Sequence, residues 1–509
     1  MLDGKSVPQE EYVLSENYTF EEENEGTLQK KNRFTEIETE INTQVGDWVW
    51  LLSEAGNAVM GDLQKRGLKD ELKKTEFLRK SGISPEKTRL VLEQLRLRER
   101  ATEKFGDMAE NMIFTPVGME QSTDRWIAAY KASRFPEGLP VADVCCGIGG
   151  DLTAFALKHP VLGVDYDLRT ALATSFNIER FSEISGHTES GNQNSFLGNA
   201  LFKVQLSNNL NSHEQIILVS EKKNNNILSC EKEWKIRTVT ALETESETRK
   251  VACITAEEFL KTSNLEKYPC IHLDPDRRSE GVRTTKMSYF EPSQEVVEDL
   301  ISGRKVAAVK LAPGTEVPPE WLKNATELEW IGRNRECRQL LVWFFSNQRP
   351  DPEKQVRATI IDAHSESISI SICGKQHRKI ETAEKPGKYV FDIDSTFLAA
   401  GLEGELASQF GLKRLGEGSV YLTGDEPISG CAALSCFEIL KVLPLDRKQI
   451  VKEIRERNWK NLEIKKRGNV PEPEVVRKWI KLVSKGESGT LILAQISPKN
   501  VAIIAKRVF

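Results

Sequence analysis

The stretch V-A-D-V-C-C-G-I-G-G-D-L-T-A-F-A-L-K-H-P-V-L-G-V-D-Y-D, Val141 to Asp167, decides the fold. A short apolar run ending at Asp143 reads as a buried strand. A glycine turn follows at Gly147, Gly149 and Gly150, then a helix carrying Leu152, Phe155 and Ala156. A second apolar run, Val161-Leu162-Gly163-Val164, closes on Asp165. Strand, glycine turn, helix, strand and acid together form the layout of a nucleotide site. Glycines let the backbone approach the ligand, and the helix N-terminus offers unpaired N–H groups. Asp165 is placed to accept hydrogen bonds from two ribose hydroxyls.

Two ligands suit this layout. A dinucleotide site calls for G-x-G-x-x-G, whose third glycine permits tight helix–strand packing around a pyrophosphate. Here Asp143 and Cys145 precede Gly147, Gly149 and Gly150, and no G-x-G-x-x-G can be drawn through them. An acid just ahead of the loop would repel a pyrophosphate and suits a ligand with an ammonium end. S-adenosylmethionine has one, and this methyl donor is the favoured reading. A dinucleotide and a ligand-free structural turn are the alternatives.

A chain of 509 residues is too long for one ordinary core, so two or three domains are expected. Its 39% hydrophobic and 29% charged residues are those of a soluble globular protein. No apolar run approaches the length of a membrane span, and the opening M-L-D-G-K-S-V-P lacks a signal core. Nine scattered cysteines, without a C-x-x-C pair, predict reduced thiols and a cytoplasmic location, with neither disulfide framework nor metal site. The net charge of -5 hides an asymmetry. Eleven Asp/Glu face four Lys/Arg up to Gln44, whereas sixteen Lys/Arg face seven Asp/Glu from Asp446 to Phe509. A basic end on an acidic protein suits a polyanion; a solvated helix face is the plainer account.

Along the chain, residues 1–44 are acidic and lack periodic apolar residues, which predicts disorder. Residues 45–135 read as a helical cap. Trp48, Leu51 and Leu52 share a face, Ser84-Pro85 starts a helix, and Ser122 or Thr123 caps another bearing Trp126, Ile127 and Tyr130. Residues 136–349 read as a doubly wound, seven-stranded α/β domain, its last two strands an antiparallel pair. It is interrupted at 186–250 by an Asn/Ser-rich insertion with short β-like runs at Ile216 to Val219 and Ile236 to Val239. Residues 350–509 read as an α+β unit opening with paired strands near Ala358 and Ser367. Helices follow, capped by Asp394 and Asp446, with a further amphipathic helix around Val475 to Val483.

Open α/β sheets hold ligands at the carboxyl ends of their parallel strands. The fourth such strand ends in Leu273-Asp274-Pro275-Asp276-Arg277-Arg278. The proline stiffens the turn and presents Asp274 to the site, where its carboxylate could polarise an amine. Arg277 and Arg278 suit phosphate; the plain alternative is a solvated turn. Tyr289 and Phe290 could stack on a base or belong to the core. Cys270 lies within the strand, and nothing marks it as a nucleophile.

With these residues the chain resembles bacterial class I S-adenosylmethionine-dependent methyltransferases that end in a THUMP-like domain. The shared motifs are D-x-x-C-G-x-G-G, F-T-x-x-G-M-E-Q-S-T before it, and G-V-D-Y-D and D-P-D-R-R after it. In the C-terminal half they are V-K-L-A-P-G, Y-L-T-G-D, F-E-I-L-K-V-L-P and L-E-I-K-K-R-G. The glycine loop is also similar to that of cap trimethylguanosine synthases, which methylate guanine N2 and carry an aromatic residue after the proline pair of their catalytic turn. The resemblance implies a Rossmann-like methyltransferase sheet with a helical N-terminal cap and a C-terminal RNA-binding module. It places Asp143, Gly147 and Gly149 along the methionine part of S-adenosylmethionine, Asp165 at its ribose, and Asp274 and Pro275 at the acceptor, with Cys145 a further cofactor-binding residue. Where such folds often carry an acid for the adenine amine, Thr255 stands here, with Glu257 two residues on. Lys465, Lys466 and Arg467, with Arg277 and Arg278, are the expected RNA contacts. The activity implied is methylation of a base nitrogen in tRNA or rRNA. No metal is needed, since the sulfonium supplies its own leaving group. A protein or small-molecule methyltransferase, or an inactive RNA-binding scaffold, are the alternatives.

Overall fold

The computed structural model describes residues 46–184, 202–207, 213–219, 235–239, 249–276, 278–279, 282–283, 290–349, 351, 355–496 and 499–509. The acidic stretch 1–44, expected to be disordered, and the Asn/Ser-rich linkers of the insertion lie outside these residues. So do Arg277 and Tyr289.

Among the described residues, twelve strands form one sheet. They are β1 (Val141–Val144), β2 (Val161–Asp165), β3 (Phe202–Ser207), β4 (His213–Val219), β5 (Lys235–Val239), β6 (Arg249–Cys253) and β7 (Cys270–Leu273). A two-stranded hairpin of β8 (Arg278–Ser279) and β9 (Val282–Arg283) stands apart. The large sheet then continues with β10 (Val306–Leu311), β11 (Glu327–Arg333), β12 (Glu336–Phe345), β13 (Val356–Ile361) and β14 (Ile368–Gly374). Their order across the sheet is β14-β13-β11-β12-β10-β7-β1-β2-β6-β3-β4-β5. The middle seven, β6 to β11 in that order, are the strands expected from the apolar runs. All pair in parallel except β12, which runs antiparallel to both β10 and β11. Strands β1, β7 and β10 are buried along their whole length, as continuous apolar runs require when both faces are covered. The chain winds outward in opposite directions from β1 and β7, so their carboxyl ends frame the crevice where such sheets take ligands.

Two expectations move. The strand pair near Ala358 and Ser367 does form, but β13 pairs in parallel with β11 and extends the first sheet. The boundary drawn at 349/350 therefore falls inside that sheet. The second sheet begins at β15 (Tyr389–Ile393) because β13 finds its unpaired edge at β11. At the other edge, the described parts of the insertion supply β3, β4 and β5.

The N-terminal helices pack on one face. Ser84 caps the helix Pro85–Phe105, accepting from the Lys87 N–H. Helix Arg125–Ser133 is capped by Asp124, whose carboxylate accepts from the Ile127 N–H at 3.0 Å, in place of the expected Ser122 or Thr123. Thr123 is instead drawn down to Asp151 by a 2.7 Å hydrogen bond.

The C-terminal unit carries its own sheet of β15, β16 (Lys413–Arg414), β17 (Leu422–Gly424), β18 (Leu434–Pro444), β19 (Asn461–Arg467), β20 (Ser488–Ala494) and β21 (Val501–Arg507). Its order is β16-β17-β15-β18-β21-β20-β19. Asp394 and Asp446 cap their helices as expected, and Gly411 closes one in the left-handed conformation. The amphipathic stretch near Val476 yields only the short helix Pro473–Arg477. One apolar cluster runs without a break from Leu273 and Val309 in the first sheet to Phe391 and Leu434 in the second.

Candidate active site

The glycine turn connects β1 to helix Leu152–Phe155. Cys145, Gly147 and Gly149 adopt φ of 61°, 55° and 82°, in the left-handed region. A side chain at such a φ costs on the order of 1 kcal/mol or more, which glycine avoids and Cys145 does not. At Gly149 a Cβ would also sit 3.0 Å from Thr174 Cγ2.

The turn is held from both sides. Asn177 bridges the carbonyls of Ile113 and Ile148, and its Oδ1 accepts from the Ile113 N–H. Gly118, in the F-T-P-V-G-M-E-Q segment, lies so close that an added Cβ would meet Ile148 Cγ2 at 2.3 Å. That segment therefore packs directly onto the turn, which explains its need for a glycine.

Asp165 stands where the sequence places it, at the end of β2. Its carboxylate accepts from the Gly147 N–H at 2.9 Å and the Asp167 N–H at 3.1 Å. Burial pushes its pKa up to about 6, against the pull of those two N–H groups. It opens on a cavity of about 1030 Å³ lined also by Cys145, Gly147, Glu257, Asp274 and Pro275. Thr255 caps the helix after β6 in a reciprocal pair with Glu258, which leaves Glu257 on the cavity wall. The volume, the left-handed glycines and the carboxylate suit a nucleoside-sized ligand such as S-adenosylmethionine. In that case Asp165 and the Gly147–Gly149 backbone would hold it.

Asp274 follows β7, its N–H bonded to the Val144 carbonyl at 3.1 Å. Its Oδ2 lies 2.5 Å from Lys310 Nζ, a residue of β10. The Asp274 side chain keeps 27% of its exposure, enough to meet a substrate. Sequence reasoning missed Lys310, although a lysine inside the apolar run V-A-A-V-K-L is a signal that a buried partner must exist. Gln121 Nε2 reaches Asp276 Oδ1 at 3.3 Å, and the Asp276 and Glu291 backbones exchange two hydrogen bonds. Phe290 is buried, and Cys270 is fully so. Tyr166, also overlooked, lines the cavity and is 70% exposed.

Two expectations are corrected by the geometry, at Asp143 and at Lys465 to Arg467. Asp143 does not line the cavity. It points to the opposite face of β1, 1% exposed, with Oδ1 2.7 Å from His272 Nδ1. His272 Nε2 lies 3.2 Å from Lys131 Nζ, and Lys131 pairs with Asp151 at 2.6 Å. Burial alone would raise the Asp151 carboxyl, but Lys131 and His272 outweigh it and hold it well below the usual range. Asp143 thus belongs to a buried polar chain beneath the turn. In the C-terminal unit, Lys465 and Arg467 are committed to the buried Asp392 at 2.7 and 3.0 Å, and Lys466 pairs with Glu472. Lys465 and Arg467 brace β19 against β15, where a free cationic face was expected. As for the arginines after Asp276, Arg277 and the side chain of Arg278 lie outside the described residues. Among the described residues there is no group of three or more acidic, Cys or His side chains that could hold a metal ion, and no helix long and apolar enough to cross a membrane.

Comparison with known proteins agrees with this architecture. A family profile described as THUMP domain-like matches residues 434–507, from β18 to β21. Another, described as a domain of unknown function (DUF8688), matches residues 44–101. The chain is 27% identical over 213 residues to uncharacterised S-adenosylmethionine-dependent methyltransferases of Mycobacterium tuberculosis strains H37Rv and CDC 1551 / Oshkosh. That match covers 41% of this chain and 56% of the relative, so the chain spans little more than half the length of these curated relatives. The crystal structure of a protein assigned as a methyltransferase, from Porphyromonas gingivalis W83, superposes with a TM-score of 0.63 at 19% identity. It covers 90% of this chain and 99% of that one. The chain therefore has the fold of a class I S-adenosylmethionine-dependent methyltransferase. Its C-terminal end carries a THUMP-like domain.

Proposed function

We propose that the chain transfers a methyl group from S-adenosylmethionine to a base nitrogen of tRNA or rRNA. The observation that carries this reading is the placement of Asp165 and Asp274 on one cavity at the carboxyl ends of β2 and β7, the two parallel strands that flank β1. Bound there, the donor supplies an electrophilic methyl on a sulfonium that is its own leaving group. Asp165 and the left-handed glycines hold and orient it. Asp274, fixed by Lys310 and the Val144 carbonyl, accepts a hydrogen bond from the acceptor amine and aligns its lone pair. The THUMP-like domain supports an RNA acceptor, and the reduced cysteines support a cytoplasmic setting.

The pairing of Lys465 and Arg467 with Asp392 favours a second reading, in which the acceptor is a protein or small molecule and the C-terminal unit is structural. Mass spectrometry of nucleosides in RNA from cells with and without the gene separates the two. Loss of one methylated nucleoside is expected. Unchanged nucleosides, in cells whose purified protein still binds S-adenosylhomocysteine, would overturn the RNA reading.

A further inference from the structure

Beside the donor cavity lies a smaller one of about 280 Å³. The two share Gln121, Ser122, Thr123, Asp276 and Lys310, so they meet beside the Asp274–Lys310 pair. A ligand in the smaller cavity would present its edge toward the Asp274–Lys310 pair.

The walls are polar and carry both signs, with Glu103, Glu120, Asp124 and Asp276 beside the cations. Gln339 lines the cavity and is 2% exposed, yet its Nε2 is buried without a hydrogen-bond partner. A buried amide without a partner is destabilising, and a bound ligand that pairs with it would relieve that. Arg333 lies with its guanidinium 3.6 Å from the centre of the Trp126 ring. Two of its nitrogens donate to the carbonyls of Asp362 and Ala363. Arg333 is only 5% exposed and its Nη1 lies 3.8 Å from Asp124 Oδ2, so what it offers a ligand is the small part of its guanidinium that lines the cavity. Arg338 pairs with Glu336 through Nη1 at 3.0 Å and brings further donors to the rim. Lys104 is spent on the carbonyls of Met119, Glu120 and Ser122, and shapes the floor.

A guanidinium in the wall, a carboxamide and a nearby arginine are the chemistry that recognises an unstacked nucleobase and its phosphate. The volume is below the usual span of drug-sized pockets and admits one ring system, not a stretch of polymer. The geometry points to this side cavity as the acceptor pocket. It takes one extruded base that lies against Arg333 and pairs its edge with Gln339, while its phosphate lies toward Arg338. A carboxamide pairs in bidentate fashion with an edge carrying an amino group beside a ring nitrogen, as adenine and cytosine do. The inference rests on the nucleic-acid reading above.

The test uses the full chain saturated with S-adenosylhomocysteine and titrated with AMP, CMP, GMP and UMP. AMP or CMP is expected to bind best. Gln339→Leu should weaken that binding tenfold or more while leaving the affinity for S-adenosylhomocysteine unchanged. Arg338→Gln should weaken the nucleotide but not the corresponding nucleoside, which keeps the test open if the first variant fails to fold. No saturable binding of any nucleotide, or binding untouched by either variant, overturns the assignment. If Gln339→Leu methylates RNA at the wild-type rate, the pocket is wrong and the RNA reading stands. If nucleotides bind through Gln339 but RNA is never methylated, the RNA reading fails and the pocket remains.

Discussion

Lys310 Nζ and Asp274 Oδ2 lie 2.5 Å apart, on adjacent strands that end in the same cavity. The lysine fixes one carboxylate oxygen, and in the proposed reaction the other takes the incoming amine. Asp274→Ala is therefore expected to lower kcat about 10²- to 10⁴-fold with little change in donor affinity. Lys310→Met should also lower kcat, by less, since the carboxylate remains but loses its anchor. Methyl incorporation measured alongside calorimetric titration of the donor checks both. Wild-type turnover in Asp274→Ala would remove it from the reaction.

If Asp165 holds the donor as proposed, donor binding is expected to depend on pH. Its pKa is raised from the ordinary 3.8 to about 6, so the ligand-free fold binds a proton more tightly than the unfolded chain does. The fold's stability from this group is thus present at low pH and falls as pH rises through about 6. Donor binding has the opposite sense, because the ionised carboxylate is the better acceptor for ribose hydroxyls. Its Kd should rise by up to about tenfold per pH unit below 6. Titrations from pH 5 to 8 check this, and Asp165→Asn should flatten the profile.

The buried chain Asp143–His272–Lys131–Asp151 sits directly under the glycine turn. Lys131→Met would leave Asp151 as a buried charge without its cation, at a cost of about 3–5 kcal/mol. Chemical denaturation should show that loss. A near-neutral result would mean that Asp151 does not depend on Lys131 as its charge partner.

In the C-terminal unit, burial alone would raise the pKa of Asp392, but Arg467 and Lys465 outweigh it and hold it below 3.8. The stabilisation is complete above 3.8 and is lost as pH falls through the lower folded value. Arg467→Gln should destabilise the protein by a few kcal/mol. It should change the salt slope of tRNA binding by less than one unit, because this arginine is engaged internally. A full unit of lost slope would return Arg467 to the RNA-binding surface.

The parallel sheet, its antiparallel closing pair and the caps at Ser84, Asp394 and Asp446 were legible because periodicity and capping are local signals. So was Asp165, which must follow a strand to reach the turn. Asp143 was misread because its direction depends on strand phase: the residue faces His272 across the register with β7, which the linear sequence does not reveal. The basic run at Lys465 to Arg467 looked free because its partner, Asp392, is more than seventy residues away in the chain. The edge strands β13 and β14 were assigned to the second unit since no composition shift marks which sheet recruits a strand. Lys310 and Gln339 were hidden for the same reason: a polar residue in an apolar run gains meaning only from what it faces.

The unbroken apolar cluster between the two sheets has a mechanical consequence. Phe391 and Leu434 belong to the same apolar cluster as Leu273, one residue before Asp274, so the C-terminal half cannot swing away without opening the core beneath the cavity. Any polymer gripped by that half would be offered to the cavity at a set reach and angle. Such an arrangement would choose its target as a jig does, by where a nucleotide falls along a folded molecule more than by the letters around it.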